Sequence, residues 1–196
     1  MNNSTPLLQI FAAIDEKNRQ DPNQVEWEGQ SVAKEQLYAE RMSQCLANFD
    51  PAASEHLQIA CRAQHIQRWS IPRRDYPMDR SGYKHWRSEL AKFHAQLTAQ
   101  LMNDCGYTQA DQQRVKDLLQ KKRLKQDKEA QTLEDVACLV FLEFHLDDFA
   151  AGHDDDKVVD IIRKTWNKMS EQGHSAALKL PLTDPMATLV GKALNG

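Results

Sequence analysis

Apolar residues in this chain recur every three or four positions, and that period most constrains its fold. Trp86, Leu90, Phe93, Leu97 and Leu101 form one such stripe, and Leu37, Tyr38, Met42, Cys45, Leu46 and Phe49 form another. Residues at this spacing share one face of an α-helix and give it a side to bury. No run alternates with period two for long, and seven glycines in 196 residues is sparse for a β-rich fold. The pattern predicts an all-α protein. It predicts a single globular multi-helix bundle over residues 1–196, with its core at about 7–180 and a tail at 181–196.

Punctuation residues divide the bundle. A first helix is expected over Leu7 to Asn18, followed by a loop in DPNQVEWEGQS. A second runs from about Val32 to Asn48 and breaks at Asp50-Pro51. Ser54 suits the start of a third, which ends near Ser70, before Pro72. A loop, IPRRDYPMDRSG, leads to a long fourth helix from Tyr83 to about Asp104, with Gly106 where a helix commonly ends. Thr108 and Asp111 resemble an N-terminal capping pair for a fifth. TLEDVACLVFLEFHLDDF is apolar around most of its circumference and reads as a central sixth helix. Asp154, Asp155 and Asp156 suit the positive end of a seventh, from Lys157 to Met169. The tail allows one short helix near its end.

The bulk numbers exclude several classes. Hydrophobic content of 41% and charged content of 27% are ordinary for a soluble globular protein. A net charge of −3 argues against generic nucleic-acid coating, which usually makes a whole domain basic. Val136 to Phe144, the longest apolar-rich run, contains Glu143 and is too short to cross a bilayer. The N-terminus lacks the basic start of a secretory leader. Cys45, Cys61, Cys105 and Cys138 are widely spaced with no CxxC pair, as expected of buried, reduced thiols in a cytoplasmic protein.

Charge is concentrated in Arg62 to Arg87. Arg62, Arg68, Arg73, Arg74, Arg80, Lys84 and Arg87 face only Asp75 and Asp79 there, a local +5 against −8 for the rest of the chain. Tyr76, Tyr83 and Trp86 are interleaved with them. Planar guanidinium forks match phosphate and carboxylate oxygens, so this stretch is a candidate site for a small phosphorylated or otherwise anionic ligand. The competing account is a set of intramolecular salt bridges to the acidic remainder.

His65, on the third helix, and His94, on the fourth, lie at the margins of apolar stripes, and Glu134 and Asp135 open the central helix. Buried carboxylates need a partner, a proton or a metal. Convergence of His65, His94 and Asp135 would supply ligands for a divalent metal ion, which could polarise a phosphoryl oxygen and supply hydroxide. The same three residues, with Glu134, are the candidate acid/base groups. Hydrogen-bonded packing residues are the simpler explanation.

HIQRWSIPRRDYP, RSGYKHWRSEL, LEDVACLVFLE and HDDDKVVDIIRKTWNKMSEQGH, with YAERM and KKRLKQDKE, together resemble the family catalogued as domain of unknown function 4202. The resemblance runs from about Leu7 to Leu194 and implies a soluble, mainly helical protein whose family lacks an assigned activity. CRAQHI and EDVACL are also loosely similar to HD-type metal-dependent phosphohydrolases. That likeness implies an HD-domain-like bundle with Asp135 as the late metal ligand, although Gln64-His65 stands where His-Asp is expected. Lys168-Met169-Ser170 looks like the start of the KMSKS loop of class I aminoacyl-tRNA synthetases. The chain has neither the accompanying HIGH motif nor room for that nucleotide-binding domain.

These observations lead to two expected functions. The first is binding, with metal-assisted hydrolysis, of a small phosphorylated ligand held by Arg68, Arg73, Arg74, Arg80 and Arg87. The second is a non-catalytic module whose Arg/Trp/Tyr surface recognises an acidic protein segment or RNA.

Overall fold

The computed structural model describes residues 5–124 and 126–195. The protein is all-α, with ten α-helices and one two-stranded hairpin among the described residues. It divides into two compact units, one up to Ala130 and one from Gln131. No described helix is long and apolar enough to cross a membrane. No disulfide joins the four cysteines, of which Cys61 and Cys138 are buried.

In the first unit, α1 (Pro6–Asn18) starts with a proline in its first turn, where a missing N–H costs nothing. The expected loop after it contains β1 (Gln24–Trp27) and β2 (Gln30–Ala33), paired antiparallel with Trp27 opposite Gln30. Their two-residue connection, Glu28-Gly29, has φ of 51° and 77°. Two positive φ values match the tight hairpin turns that follow strand twist. The strands are too short for their alternation to stand out in sequence.

α2 (Lys34–Phe49) follows the hairpin directly. Asp21 accepts the Glu35 backbone N–H at 3.0 Å and so serves the first turn of α2 from a distance. α3 (Glu55–Arg62) is capped by Ser54, whose hydroxyl accepts from Leu57 N. It stops well short of the expected Ser70. Beyond it the chain turns at Gln67, which has φ 48° and donates its N–H to the buried Asn18 Oδ1 at 3.1 Å. Two 3₁₀ turns, Arg68–Ser70 and Arg73–Asp75, then cross to α4 (Arg80–Asp104).

Gly82 in the first turn of α4 has no room for a Cβ, which would collide with the Pro77 carbonyl oxygen. At the far end Tyr107 N donates to Met102 O and Gly106 N to Asn103 O, with Gly106 at φ 84°. This is the left-handed glycine stop expected at that position. α5 (Gln109–Leu119) carries the full reciprocal capping box of Thr108 and Asp111.

These helices pack α4 on α5, α3 on α2 and α5, and α1 on α2, α3 and α4. Ile10, Ile14, Leu57, Ile59, Met102 and Leu118 are fully buried. Burial of each such side chain contributes about 1.5–3 kcal/mol. The bidentate Arg62–Asp15 pair, at 2.7 Å for both bonds, ties α3 to α1.

α6 (Lys128–Phe144) opens at the end of the first unit and runs into the second, burying Leu133, Val136, Leu139, Val140 and Leu142. The single central helix expected through Phe149 is interrupted at His145, and α7 (Leu146–Ala151) follows. α8 (Asp155–Trp166) is capped by Asp154, which accepts from Lys157 N at 2.8 Å. α9 (Glu171–Ala177) and α10 (Asp184–Asn195) complete the unit, and α10 packs on α8. The tail therefore ends in a helix of 12 residues with Met186, Leu189 and Ala193 buried.

Candidate functional site

The shortened α3 determines the site. The turn after it places Gln64, His65 and Arg68 against one face of α4 and the end of α5. The resulting cavity, of about 300 Å³, is also lined by Arg87 and His94 from α4 and Lys121 from the turn after α5. No carboxylate is among its lining residues, whereas Arg68, Arg87, Lys92 and Lys121 are. Lys92 pairs with Glu89 at the surface, at 2.8 Å. A larger cavity of about 400 Å³, near Phe11, Leu46 and Pro51, has only Asp50 as a charged group.

His65 is fixed on three sides. Its ring stacks on Tyr38 of α2, with centroids 4.0 Å apart and planes 10° apart. Its Nδ1 lies 3.2 Å from Glu35 Oε2, and its Nε2 lies 3.0 Å from an Arg68 guanidinium nitrogen. Guanidinium nitrogens only donate, so Nε2 must be the bare acceptor and Nδ1 must carry the proton toward Glu35. The Tyr38 hydroxyl is pushed above its ordinary range, first by burial and then by Glu35.

Arg68 sits over the indole of Trp86 at 4.7 Å. The indole is itself anchored by Nε1 donating to Ile71 O at 2.8 Å. Burial lowers the Arg68 guanidinium from its usual value, and Glu35 opposes that shift. Arginine remains charged under any ordinary condition.

His94 is 4% exposed, and its ring centroid lies 6.2 Å from that of His65. Burial, then the neighbouring His65, Arg68 and Arg87, hold its imidazole well below the usual histidine range, against a hydrogen bond to the Gln64 backbone. Its Nε2 is buried without a hydrogen-bond partner, as is Gln64 Oε1. The backbone bond therefore uses Nδ1, and the neutral ring keeps a lone pair on Nε2. Buried polar atoms left unpaired are uncommon, and these two belong to residues that line the same cavity.

Of the sequence-predicted residues, the fold brings His65, His94, Arg68 and Arg87 together. Trp86 is buried as the platform under Arg68, and Arg62 is held by Asp15 and Ser43. Arg73 donates to the Tyr76 and Asp79 carbonyls and so shapes its own loop. Tyr76 meets His85 edge-on, while Arg74, Arg80 and Tyr83 are exposed outside the cavity lining.

Glu134 and Asp135 belong to the second unit. Glu134 lies 4.0 Å from Lys168. Asp135 accepts from Ser170 N at 2.8 Å, Ser170 Oγ at 2.5 Å and Gln131 Nε2 at 3.0 Å. Among the described residues, no group of three or more His, Cys, Asp or Glu side chains is placed to hold a metal ion.

Sequence reasoning missed Glu35, Tyr38 and Lys121. Glu35 reads as an ordinary acid in a helix's first turn, and only the fold shows it beside His65. Lys121 reads as part of the solvated KKRLK run, yet it has φ 53° and lines the cavity.

No curated protein and no solved structure gives a significant match to this chain. One family model, described as Domain of unknown function (DUF4202), matches residues 8–190. With nearly the whole length matched, the chain belongs to the DUF4202 family.

Proposed function

We propose that the cavity bounded by the α3 turn, α4 and α5 binds a small phosphorylated or otherwise anionic ligand and acts on it by acid–base chemistry. The observation that carries this reading is a lining with four cationic side chains, no carboxylate and a buried, unpartnered His94 Nε2. Arg68 and Arg87 clamp the anion electrostatically, and charge placed in advance where anionic oxygens sit is an efficient form of such stabilisation. The metal-assisted, HD-type version through His65, His94 and Asp135 is not adopted, because the described residues gather no metal-holding group. Isothermal calorimetry with inorganic phosphate and pyrophosphate tests the binding. Arg68→Ala and Arg87→Ala should each weaken it by about tenfold, the loss of one charge-assisted contact. Heats absent for both anions in the wild-type protein would sink the proposal.

A second reading has its own observation. From the second 3₁₀ turn into the first turns of α4, Met78 is 79% exposed and Tyr83 47%, beside the exposed Arg74, Arg80 and Lys84. An apolar and aromatic tip among cations suits an acidic protein segment or RNA. Charge-neutral substitutions at Arg74 and Arg80 would abolish such docking and leave phosphate binding intact.

A further inference from the structure

We propose that His65 is a proton acceptor gated by the ligand: an anion in the cavity draws Arg68 off His65 Nε2, while Glu35 holds the other ring proton. This deepens the anion-binding reading and rests on it. Arg68 Nη1 donates to His65 Nε2 at 3.0 Å, so the lone pair that a base needs is occupied before ligand arrives. A hydrogen bond from guanidinium to a neutral imidazole is weaker than a forked pair to phosphate oxygens. An anion entering the cavity therefore takes Arg68, whose guanidinium can shift across the flat Trp86 indole beneath it at 4.7 Å.

The imidazole cannot follow, because Tyr38 stacks on its face at 4.0 Å and Glu35 Oε2 stands 3.2 Å from Nδ1. Nε2 is then bare beside the bound anion. It accepts a proton from a ligand hydroxyl or a water: the O–H bond breaks, the Nε2–H bond forms, and the oxygen keeps the electron pair. The imidazolium charge is balanced by Glu35 across Nδ1, the arrangement in which a carboxylate orients and supports a histidine base. His94 is the poorer base, because its ring bonds a neutral backbone group and its surroundings are buried and positive. The charged and titratable groups around His65 are Glu35 and Tyr38 on α2, Arg68 in its own turn, and His94 and Arg87 on α4. Glu35 is a positioning residue in this scheme.

The test is nitrogen NMR of the histidine rings in the full chain, assigned with His65→Gln and titrated with inorganic phosphate. The free protein should show His65 protonated at Nδ1 and bare at Nε2. Saturating phosphate should move the Nε2 resonance as Arg68 leaves, with Nδ1 little changed. Glu35→Gln keeps the shape and an acceptor for Nδ1–H and takes one negative charge away from the anion, so it should still bind phosphate. In its phosphate complex, however, His65 should take up its second proton about 1 pH unit lower. Phosphate bound by calorimetry with His65 Nε2 unmoved, or a free protein with the proton on Nε2, overturns the gating. A Glu35→Gln titration superimposable on wild type overturns the role of Glu35. Absence of phosphate heat in the wild type instead overturns the anion site itself, and the gated base with it.

Discussion

His94 is 4% exposed, and burial more than its cationic neighbours keeps its ring neutral. In the unfolded chain the same ring takes up a proton near pH 6.5, the ordinary value, and in the folded chain only at a much lower pH. Below pH 6.5 the unfolded state therefore binds more protons than the folded one, and stability falls as pH falls. Between about pH 6.5 and about 5.5 this one group should cost the fold about 1 kcal/mol. Urea unfolding of wild type and His94→Gln at the two pH values isolates it. The wild type should lose that increment and the variant should not, and parallel losses would assign the acid sensitivity elsewhere. At this scale the sequence was a partial guide. His94 was legible because it flanks an apolar stripe with helical spacing. Glu35 was not, because its partnership with His65 depends on the reversal at Gln67. That reversal is set by a left-handed residue bonded to a buried asparagine from another helix. Nothing in the local sequence marks a glutamine for φ of 48°.

Elements meet in this protein through caps that are supplied from a distance as well as by neighbours. Ser170 caps α9 by accepting from Gly173 N at 3.1 Å, and Asp135 of α6 in turn accepts both the backbone N–H and the hydroxyl of Ser170. The approach is so close that a Cβ on Gly173 would stand 2.8 Å from Asp135 Oδ1. Asp135→Ala would leave the buried end of α9 with donors unmet, at a cost of about 3 kcal/mol. Chemical denaturation of the full chain measures this, and a loss below about 1 kcal/mol would mean that α9 finds another cap. Helices such as α1, α4 and α5 were legible to within a few residues from their apolar period, with Gly106 marking the end of α4 and the Thr108–Asp111 pair the start of α5. α9 was not, for it is seven residues long and owes its start to a carboxylate 35 positions away. The early end of α3 was illegible for a related reason. Its sequence continues with helix-compatible residues, and a bond to Asn18 overrides them.

Charge is divided unevenly along the whole molecule. Residues 1–130 carry 19 Lys and Arg against 17 Asp and Glu, and residues 131–196 carry six against 11. The net −3 thus hides a first unit of slightly positive charge, and the cationic cavity belongs to it. A slight excess of that kind does not make a polyanion-binding surface, and this separates the two functional readings by their response to salt. A polyanion that engages six or more cations releases its condensed counterions and loses about 10³-fold or more in affinity between roughly 50 mM and 200 mM salt. A small anion has no such counterion layer to release. Its two main contacts, Arg68 and Arg87, differ in exposure, since Arg68 is largely buried and Arg87 is open to solvent. Screening acts on the exposed contact far more than on the buried one. Phosphate affinity should therefore fall by less than about tenfold over the same salt range. The residual salt dependence should nearly vanish in Arg87→Ala and persist in Arg68→Ala. Calorimetry at the two salt concentrations with phosphate, and fluorescence anisotropy with a single-stranded oligonucleotide, provide the comparison. A shallow phosphate slope with no oligonucleotide binding supports the cavity as a small-anion site. A steep slope for the oligonucleotide, abolished by neutralising Arg74 and Arg80, would move the function to the exposed loop.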